Sequence, residues 1–278
     1  MFRARDREFP LGERTYVMGI LNYTPDSFSD GGMYNNPRAA VEHALEMQEA
    51  GADIIDIGAN STRPDAVILS AEEEKQRLLP LLDTLCGKLD VAVSADTFYP
   101  SCAKVALEAG VHIINDVSGV FNPEIAALCK EHGAGYIVMH NPCGSGQTVE
   151  YQGGVVNAVR SFFLDSLTLA AQSGLDKSHL CLDMGLGFGK SFEDNLELVR
   201  EMQWLKFKGV ALLAAASRKR FIGSASGVED SRKRDPGTVA VNTAAIAGGA
   251  DIIRVHDVFS AVQGARVADA LYRGKING

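Results

Sequence analysis

The sequence predicts an α/β fold, a single-domain (β/α)8 TIM barrel that spans residues 1–278. Short apolar segments alternate eight times with longer segments of helical periodicity, and a chain of 278 residues suits one barrel of this kind. The apolar segments are hydrophobic at nearly every position, as strands covered on both faces are. The main alternative, an open doubly wound sheet, is disfavoured because no GxGxxG motif opens a helix after an early strand.

The predicted strands are short runs rich in aliphatic residues. They cover residues 15–21, 53–58, 91–96, 112–116, 135–140, 179–184, 210–216 and 251–256. The predicted helices cover residues 38–50, 71–86, 100–109, 123–132, 155–174, 192–202, 239–248 and 259–273. Pro37, Gly51 and Pro123 mark helix ends, since proline is favoured in the first turn and glycine after the last. The charged segment 229–237 is predicted to be a loop within the seventh unit.

The composition indicates a cytoplasmic protein with neither nucleic-acid nor membrane partners. A net charge of −8 disfavours general binding to nucleic acids or anionic membranes. The five cysteines are scattered without a CxxC pair, which indicates reduced thiols and no structural zinc site. The longest apolar run, 210–216, is far shorter than a membrane span, and the first ten residues lack the apolar core of a signal peptide.

Polar side chains gather where the predicted strands end, which is where barrel enzymes place their active sites. These strand-end residues are Asn22, Ser61, Thr62, Arg63, Asp96, Asn115, Asp116, His140, Asn141, Asp183, Ser217, Arg218, Lys219, Arg254 and His256. Loops are polar in general, and this accounts for part of the pattern. It does not account for the choice of amides, carboxylates and long cations over glycine and serine.

One group of these residues suits a flat heterocycle that carries an amino group and a ring N–H. Asp96, Asn115 and Asp183 offer acceptors and an amide, and Lys219 can meet a ring carbonyl. The alternatives are that Asp96 and Asp183 cap helices and that Lys219 is a solvent-facing helix residue. Asp56 lies inside a predicted strand, and we expect it to pair with Lys219 or Arg254, since an unpaired buried carboxylate is unfavourable.

A second group suits a phosphorylated moiety. Thr62, Arg63, Arg254 and His256 provide the forked cations and donors that phosphate oxygens accept. The alternative for His256 is a strand-end residue beside a helix cap at Asp257.

The glycine-rich segment DMGLGFGKS at 183–191 resembles a nucleotide loop but has the wrong spacing for a Walker A motif. Its glycines predict a close approach of backbone to a ligand. Phe188 and Met139 are interpreted as ring-packing residues or, equally, as ordinary core residues.

The segment MGILNYTPDSFSDGG at 18–32 begins as a buried strand and continues as a long irregular polar loop that contains Phe28. Loops of this length between elements are often functional, and an embedded phenylalanine is unusual in a solvated linker. The segment is therefore predicted to be an active-site flap.

Taken in order, these segments resemble the dihydropteroate synthase family over nearly the whole chain. The matching motifs are GILNYTPDSFSDGG, GADIIDIGANSTRP, SADT, INDVSG, LDMGLGFGKS, SRKRFIG and RVHDV. The resemblance implies a pterin-binding barrel that condenses 6-hydroxymethyl-7,8-dihydropterin diphosphate with p-aminobenzoate, giving 7,8-dihydropteroate and pyrophosphate. It also implies Mg²⁺ as cofactor, a homodimer, and sensitivity of the aminobenzoate pocket to sulfonamides.

The resemblance assigns a role to each candidate residue. The pterin is implied to lie against Asp96, Asn115, Met139, Asp183, Phe188, Lys219 and Arg254. The diphosphate is implied to meet Asn22, Thr62, Arg63, Arg254 and His256, with Asn22 also binding the metal. The aminobenzoate pocket is implied to include Phe28, Arg63, Pro64, Lys219 and Arg220. The catalytic set is then Asn22, Thr62, Arg63, Lys219, Arg254 and His256.

Some positions depart from the family pattern without removing a predicted catalytic group. Tyr23, Asn60, Asp65 and Ala215 differ from the usual residues, and Arg220 stands where a serine near the aminobenzoate carboxylate is common. Three other functions remain open on sequence alone: a pterin-dependent methyltransferase, a pterin-binding protein without catalysis, and a barrel aldolase with Lys219 as a Schiff base. The diphosphate cations disfavour the methyltransferase.

Overall fold

A computed structural model describes residues 1–23, 37–60, 68–143 and 147–274 of the chain. Its core is a closed barrel of eight parallel strands, as predicted. The barrel strands are β3 (Tyr16–Asn22), β4 (Ile54–Gly58), β5 (Ala92–Asp96), β6 (Ile113–Asp116), β7 (Gly135–Met139), β8 (Leu180–Asp183), β9 (Ala211–Ala214) and β10 (Ile252–Val255). They pair in chain order, and β10 closes the barrel against β3.

Helices follow the strands around the outside of the barrel. They are α1 (Pro37–Glu49), α2 (Ala71–Cys86), α3 (Pro100–Glu108), α4 (Pro123–His132), α5 (Val155–Ser173), α6 (Phe192–Arg200), α7 (Arg220–Ser226), α8 (Asp235–Ala247) and α9 (Val258–Tyr272). Side chains fix several of their starts. Ser70 and Glu73 form a reciprocal capping box on α2, and Asn122 accepts from two backbone N–H groups of α4. No helix in the described ranges has the length and apolar character needed to cross a bilayer.

A hairpin before the barrel and a short α-helix after β9 were missed by the sequence analysis. An antiparallel hairpin, β1 (Phe2–Ala4) and β2 (Arg7–Phe9), precedes the barrel, and the short helix α7 follows β9. The predicted loop at 229–237 is also partly wrong, because α8 already begins at Asp235. Pro236 explains this start, since proline is tolerated in the first turn of a helix.

The apolar side chains form two clusters, one on each face of the barrel wall. The larger cluster packs the outward faces of the strands against the helices. The smaller cluster fills the lower barrel interior and includes the hairpin residues Phe2, Ala4 and Phe9. Strand side chains alternate between the two faces, so Ile253 belongs to the outer cluster, and Ile252 and Arg254 point inward. The hairpin therefore closes the bottom of the barrel, and the strand ends form its open mouth.

Candidate active site at the barrel mouth

An ion cluster crosses the upper interior of the barrel. Arg254 of β10 donates through Nε to Asp56 Oδ2 at 2.7 Å and through Nη2 to Asp96 Oδ2 at 2.9 Å. Asn115 of β6 donates through Nδ2 to the same Asp56 oxygen at 3.0 Å. The Asp56 side chain is fully buried. The prediction that Asp56 pairs with a barrel cation is therefore confirmed, and the cation is Arg254 rather than Lys219.

Burial and charge set the protonation of this cluster. Burial raises the pKa of the Asp96 carboxyl to about 8, although the positive charge of Arg254 opposes this shift. Burial acts to lower the pKa of Arg254, but the charges of Asp56 and Asp96 outweigh it and leave that pKa raised. Arg254 thus stays cationic, and Asp96 holds or releases a proton near neutral pH. A carboxyl group in this condition can donate a hydrogen bond to a heterocycle or accept one from it.

A second charged pair lies on the opposite wall, around Asp183 of β8. Its Oδ1 accepts from the backbone N–H of Gly185 at 2.7 Å. Burial raises the pKa of Asp183, and the charge of Lys219 opposes the shift. Burial likewise lowers the pKa of Lys219 to about 8, against the attraction of Asp183. Lys219 Nζ donates to the carbonyl of Leu186 and lies 4.4 Å from the centre of the Phe188 ring.

These contacts decide between the alternative interpretations of three residues. Neither Asp96 nor Asp183 caps a helix, since both side chains have their partners inside the barrel mouth. Lys219 precedes α7 but does not face solvent as a helix residue would, because its amine reaches the β8–α6 loop. The Met139 and Phe188 side chains are both buried, Met139 at the end of β7 and Phe188 beneath the Lys219 amine.

The glycine-rich loop after β8 is held by the side chain of Lys190, which the sequence analysis did not single out. Lys190 is buried, and its Nζ donates to the carbonyl of Phe188 at 2.9 Å and to that of His140 at 3.3 Å. The same amine lies 3.0 Å from His140 Nδ1, which accepts from it. Gly185 adopts a positive φ of 65°, and a side chain there would collide with the carbonyl oxygen of His140. The signal was the GKS triplet, but a buried lysine cannot be recognised without its acceptors.

The turn between β9 and α7 brings Ser217 to His256 at the end of β10. Ser217 Oγ lies 2.8 Å from His256 Nδ1 and accepts from the backbone N–H of His256 at 3.1 Å. The next residue, Arg218, has a positive φ of 58°, which is uncommon for a residue other than glycine. Its guanidinium donates to both oxygens of Asp235 at 2.8 Å and thereby holds the turn. Asp257 caps α9 by accepting from the backbone N–H of Ser260. His256 therefore precedes a helix cap, as the alternative interpretation had it, and it also lies in the barrel mouth.

Two further predicted residues lie at the ends of elements around the mouth. Asn22 ends β3 and is half-buried opposite Gly58, and Arg220 begins α7 with an exposed side chain. Phe28, Thr62, Arg63 and Pro64 lie outside the described residues. Within the described ranges, no three histidine, cysteine or acidic side chains are grouped so as to hold a metal ion. The amide oxygen of Asn22, half-buried at the end of β3, is an oxygen donor of the kind that Mg²⁺ accepts.

The mouth thus combines buried carboxyl groups, an amide and cations around one opening, which defines a barrel enzyme for a polar, flat ligand. Residues 18–256 match the family described as Pterin binding enzyme. A Synechocystis relative named dihydropteroate synthase is 45% identical over 269 residues, which make up 95% of this chain and 93% of the relative.

Two solved structures agree with this match. Dihydropteroate synthase from Clostridium difficile, solved in the presence of pteroic acid, has a TM-score of 0.88 at 42% identity and covers 96% of this chain and 100% of its own. The Yersinia pestis dihydropteroate synthase, in complex with a sulfonamide drug, has a TM-score of 0.89 at 36% identity. The match covers 96% of this chain and 98% of the Yersinia chain. This chain therefore belongs to the pterin-binding enzyme family, and within it to the dihydropteroate synthases.

Proposed function

We propose that this protein is a transferase that joins 6-hydroxymethyl-7,8-dihydropterin diphosphate to p-aminobenzoate, producing 7,8-dihydropteroate and pyrophosphate. The observation that carries the proposal is the ion cluster of Arg254, Asp56 and Asp96 with Asn115, set in the mouth of a barrel of this family. Its p-aminobenzoate pocket is the target of sulfonamides, and the structure of the Yersinia relative holds such a drug.

The pterin is held through its polar edge and its flat faces. Asp96, Asn115 and Asp183 provide acceptors and an amide for the aminopyrimidinone edge, and Lys219 donates to its ring carbonyl. Met139, Phe188 and the guanidinium plane of Arg254 pack against the ring. These side chains are already fixed by their hydrogen bonds or by burial, which favours a bound geometry that needs little rearrangement.

The reaction breaks the bond between the pterin methylene carbon and the diphosphate oxygen. The dihydropterin ring delocalises the positive charge left on that carbon, the aminobenzoate nitrogen attacks it, and the nitrogen then loses a proton. Arg254, His256, Thr62, Arg63 and Asn22 stabilise the negative charge that gathers on the departing pyrophosphate. Arg254 Nη1 has no partner among the described residues, so this donor remains for the diphosphate.

Further features belong to the same proposal. Asn22 would hold Mg²⁺, and the bound ion would neutralise charge on the leaving diphosphate. Phe28, Arg63, Pro64, Lys219 and Arg220 line the aminobenzoate pocket. The chain acts in the cytoplasm as a single domain over 1–278.

We also propose a homodimer. Exposed apolar side chains toward the end of α9, those of Val267, Leu271 and Tyr272, support an interface away from the mouth.

The test is pyrophosphate release from purified protein with the pterin diphosphate, Mg²⁺ and p-aminobenzoate, leaving out one component at a time. We expect release that requires all three and yields dihydropteroate. Arg254→Ala and Asn22→Ala should abolish it, whereas Arg232→Ala on the surface should not. Tight pterin binding without any release would contradict the proposal and favour a methyltransferase or a silent binding protein.

A further inference from the structure

Among the residues that the structure describes, Ser217 Oγ makes two hydrogen-bond contacts, and both are with a single residue. Its Oγ accepts from the backbone N–H of His256 at 3.1 Å and lies 2.8 Å from the ring nitrogen Nδ1 of that histidine. The two residues are 39 positions apart in the chain, at the ends of the neighbouring strands β9 and β10. Ser217 is 7% exposed.

The donors and acceptors of Ser217 and His256 limit where the hydrogen atoms of this contact can lie. The backbone N–H of His256 is a donor only, so Ser217 Oγ accepts there and keeps its own O–H to donate. In the described part of the chain, Nδ1 of His256 is the one acceptor within reach of that hydroxyl. A Ser217 hydroxyl that donates to Nδ1 requires the proton of the neutral imidazole to lie on Nε2.

We propose that Ser217 is a positioning residue that fixes the ring orientation of His256 and its Nε2–H tautomer. Building on the proposed function, Nε2–H then serves as the donor to an oxygen of the departing diphosphate. Phosphate oxygens accept hydrogen bonds, so the other tautomer would place a lone pair of Nε2 against them. Ser217 thus decides whether the histidine attracts the leaving group or repels it.

The turn that carries Ser217 is itself held in place. Arg218 keeps its positive φ of 58° while its side chain is bound by Asp235 and its backbone N–H donates to Thr238 Oγ1 at 3.0 Å. Non-glycine residues persist in this region only where the surroundings impose it. The fold therefore places the hydroxyl oxygen of Ser217 against the ring of His256.

The test separates the tautomer from binding. In the wild-type protein at alkaline pH, ¹⁵N NMR of the His256 ring, assigned by comparison with His256→Gln, should show an unprotonated Nδ1 and a protonated Nε2. Ser217→Ala should convert this signal to a mixture of tautomers. It should also weaken binding of inorganic pyrophosphate about tenfold, the equivalent of one hydrogen bond, and leave the affinity for 6-hydroxymethylpterin unchanged.

Three further variants make the result specific. Ser217→Thr keeps a hydroxyl and should restore both readouts, and Ser217→Cys, close in size but a weak donor, should fall between. Ser226→Ala removes a hydroxyl that donates to the carbonyl of Ile222 within α7, and should change neither.

The proposal is overturned if Ser217→Ala keeps a single tautomer, or if it weakens pterin and pyrophosphate binding equally. A wild-type protein that releases no pyrophosphate would contradict the proposed reaction, but the NMR and binding measurements would still decide the role of Ser217.

Discussion

The lower and upper halves of the barrel interior are built from the same strands but have opposite chemistry. The lower half is apolar and is closed by aromatic side chains of the hairpin, with Phe2 and Phe9 stacked at 5.8 Å between ring centres. The upper half holds Asp56, Asp96 and Arg254 in one ion cluster. A single step of two residues along β10, from Ile252 to Arg254, passes from one to the other.

The lower half of the interior therefore contributes mainly to stability, whereas the upper half provides the charged groups of the candidate active site. Burying the lower cluster supplies hydrophobic stabilisation and needs no particular ligand. Burying the upper cluster removes charges from water, and their mutual attraction offsets this only while every partner is present. Substitutions in the two halves should therefore fail in different ways, and the following experiments compare those failures.

The largest effect is expected from Arg254→Met, which removes the cation of the upper half and keeps most of the side-chain volume. Asp56 and Asp96 would be left buried without their partner, which should lower the free energy of unfolding by about 3 kcal/mol or more. Pyrophosphate release should also disappear. Denaturant unfolding and the release assay measure the two losses. Arg232→Met provides the control, because Arg232 makes a similar two-point contact with Asp230 at the exposed surface.

The loss of stability in Arg254→Met should depend on pH. Burial raises the pKa of Asp96, and without Arg254 that pKa should rise further. A carboxyl whose folded-state pKa lies above its unfolded value stabilises the native state while protonated, and this contribution is lost as the pH rises through the folded pKa. The variant should therefore approach wild-type stability toward pH 5 and fall furthest behind above pH 8. A pH-independent difference would show that charge burial is not its cause.

In the lower half, Phe2→Ala should reduce stability and spare function. Phe2 is fully buried, and its ring lies under the backbone of Gly135 in β7, where a side chain would collide with it. Truncation of a buried phenylalanine lowers the free energy of unfolding by about 3 to 5 kcal/mol. The KM values for both substrates should stay at wild-type level at a temperature where the variant is folded. Phe192→Ala on the exposed face of α6 serves as the control. A specific rise in KM would show that the hairpin acts on the mouth.

The lower half and the barrel wall were largely predictable from the sequence. Each of the eight barrel strands lies within two residues of its predicted bounds, because strands buried on both faces are unbroken apolar runs. The hairpin was missed because each of its strands has only three residues and carries charged side chains at Arg3, Arg7 and Glu8. The short helix RFIGSAS after β9 gave no periodic signal long enough to detect.

In the upper half, residue types were predictable but most of their partners were not. The sequence placed Asp56 with either Lys219 or Arg254, and only the spatial arrangement of the strands selects Arg254. The bond between Ser217 and His256 and the burial of Lys190 beside His140 likewise depend on neighbouring loops meeting. A sequence pattern reports which faces are buried, whereas a hydrogen bond between distant residues requires the closed barrel.

A smaller effect is expected from Lys190→Met, which tests whether a buried amine supports the upper half. Losing the donor to the Phe188 carbonyl should loosen the Phe188 ring, which we propose packs against the pterin, and raise the KM for the pterin substrate about tenfold. The matched control is Lys177→Met, since Lys177 donates to one carbonyl at the surface. An unchanged KM would show that Lys190 does not affect substrate binding and acts on stability alone, as the residues of the lower half do.

The same variant should alter the pH dependence of stability. Burial lowers the pKa of Lys190 to about 7, far below that of an unfolded lysine. Between that value and about 10.4 the unfolded chain binds more protons at this residue, so its contribution to stability rises with pH. Lys190→Met removes this contribution, and the variant should lose ground to the wild type as the pH increases from 7 to 10. A constant difference across that range would contradict a depressed pKa.

The smallest effect concerns the backbone strain at Arg218, which has a positive φ, and the contact with Asp235 that holds this residue in place. Arg218→Ala and Arg218→Gly both remove the fork to Asp235, but only alanine retains the penalty for a positive φ. The glycine variant should be the more stable by about 0.5 to 1 kcal/mol, since the added freedom of glycine in the unfolded chain cancels part of the relief. Differential scanning calorimetry of the two proteins measures this gap. Equal stability would mean that the turn relaxes once the fork is gone, and Ser217 should then lose its hold on His256 in both variants.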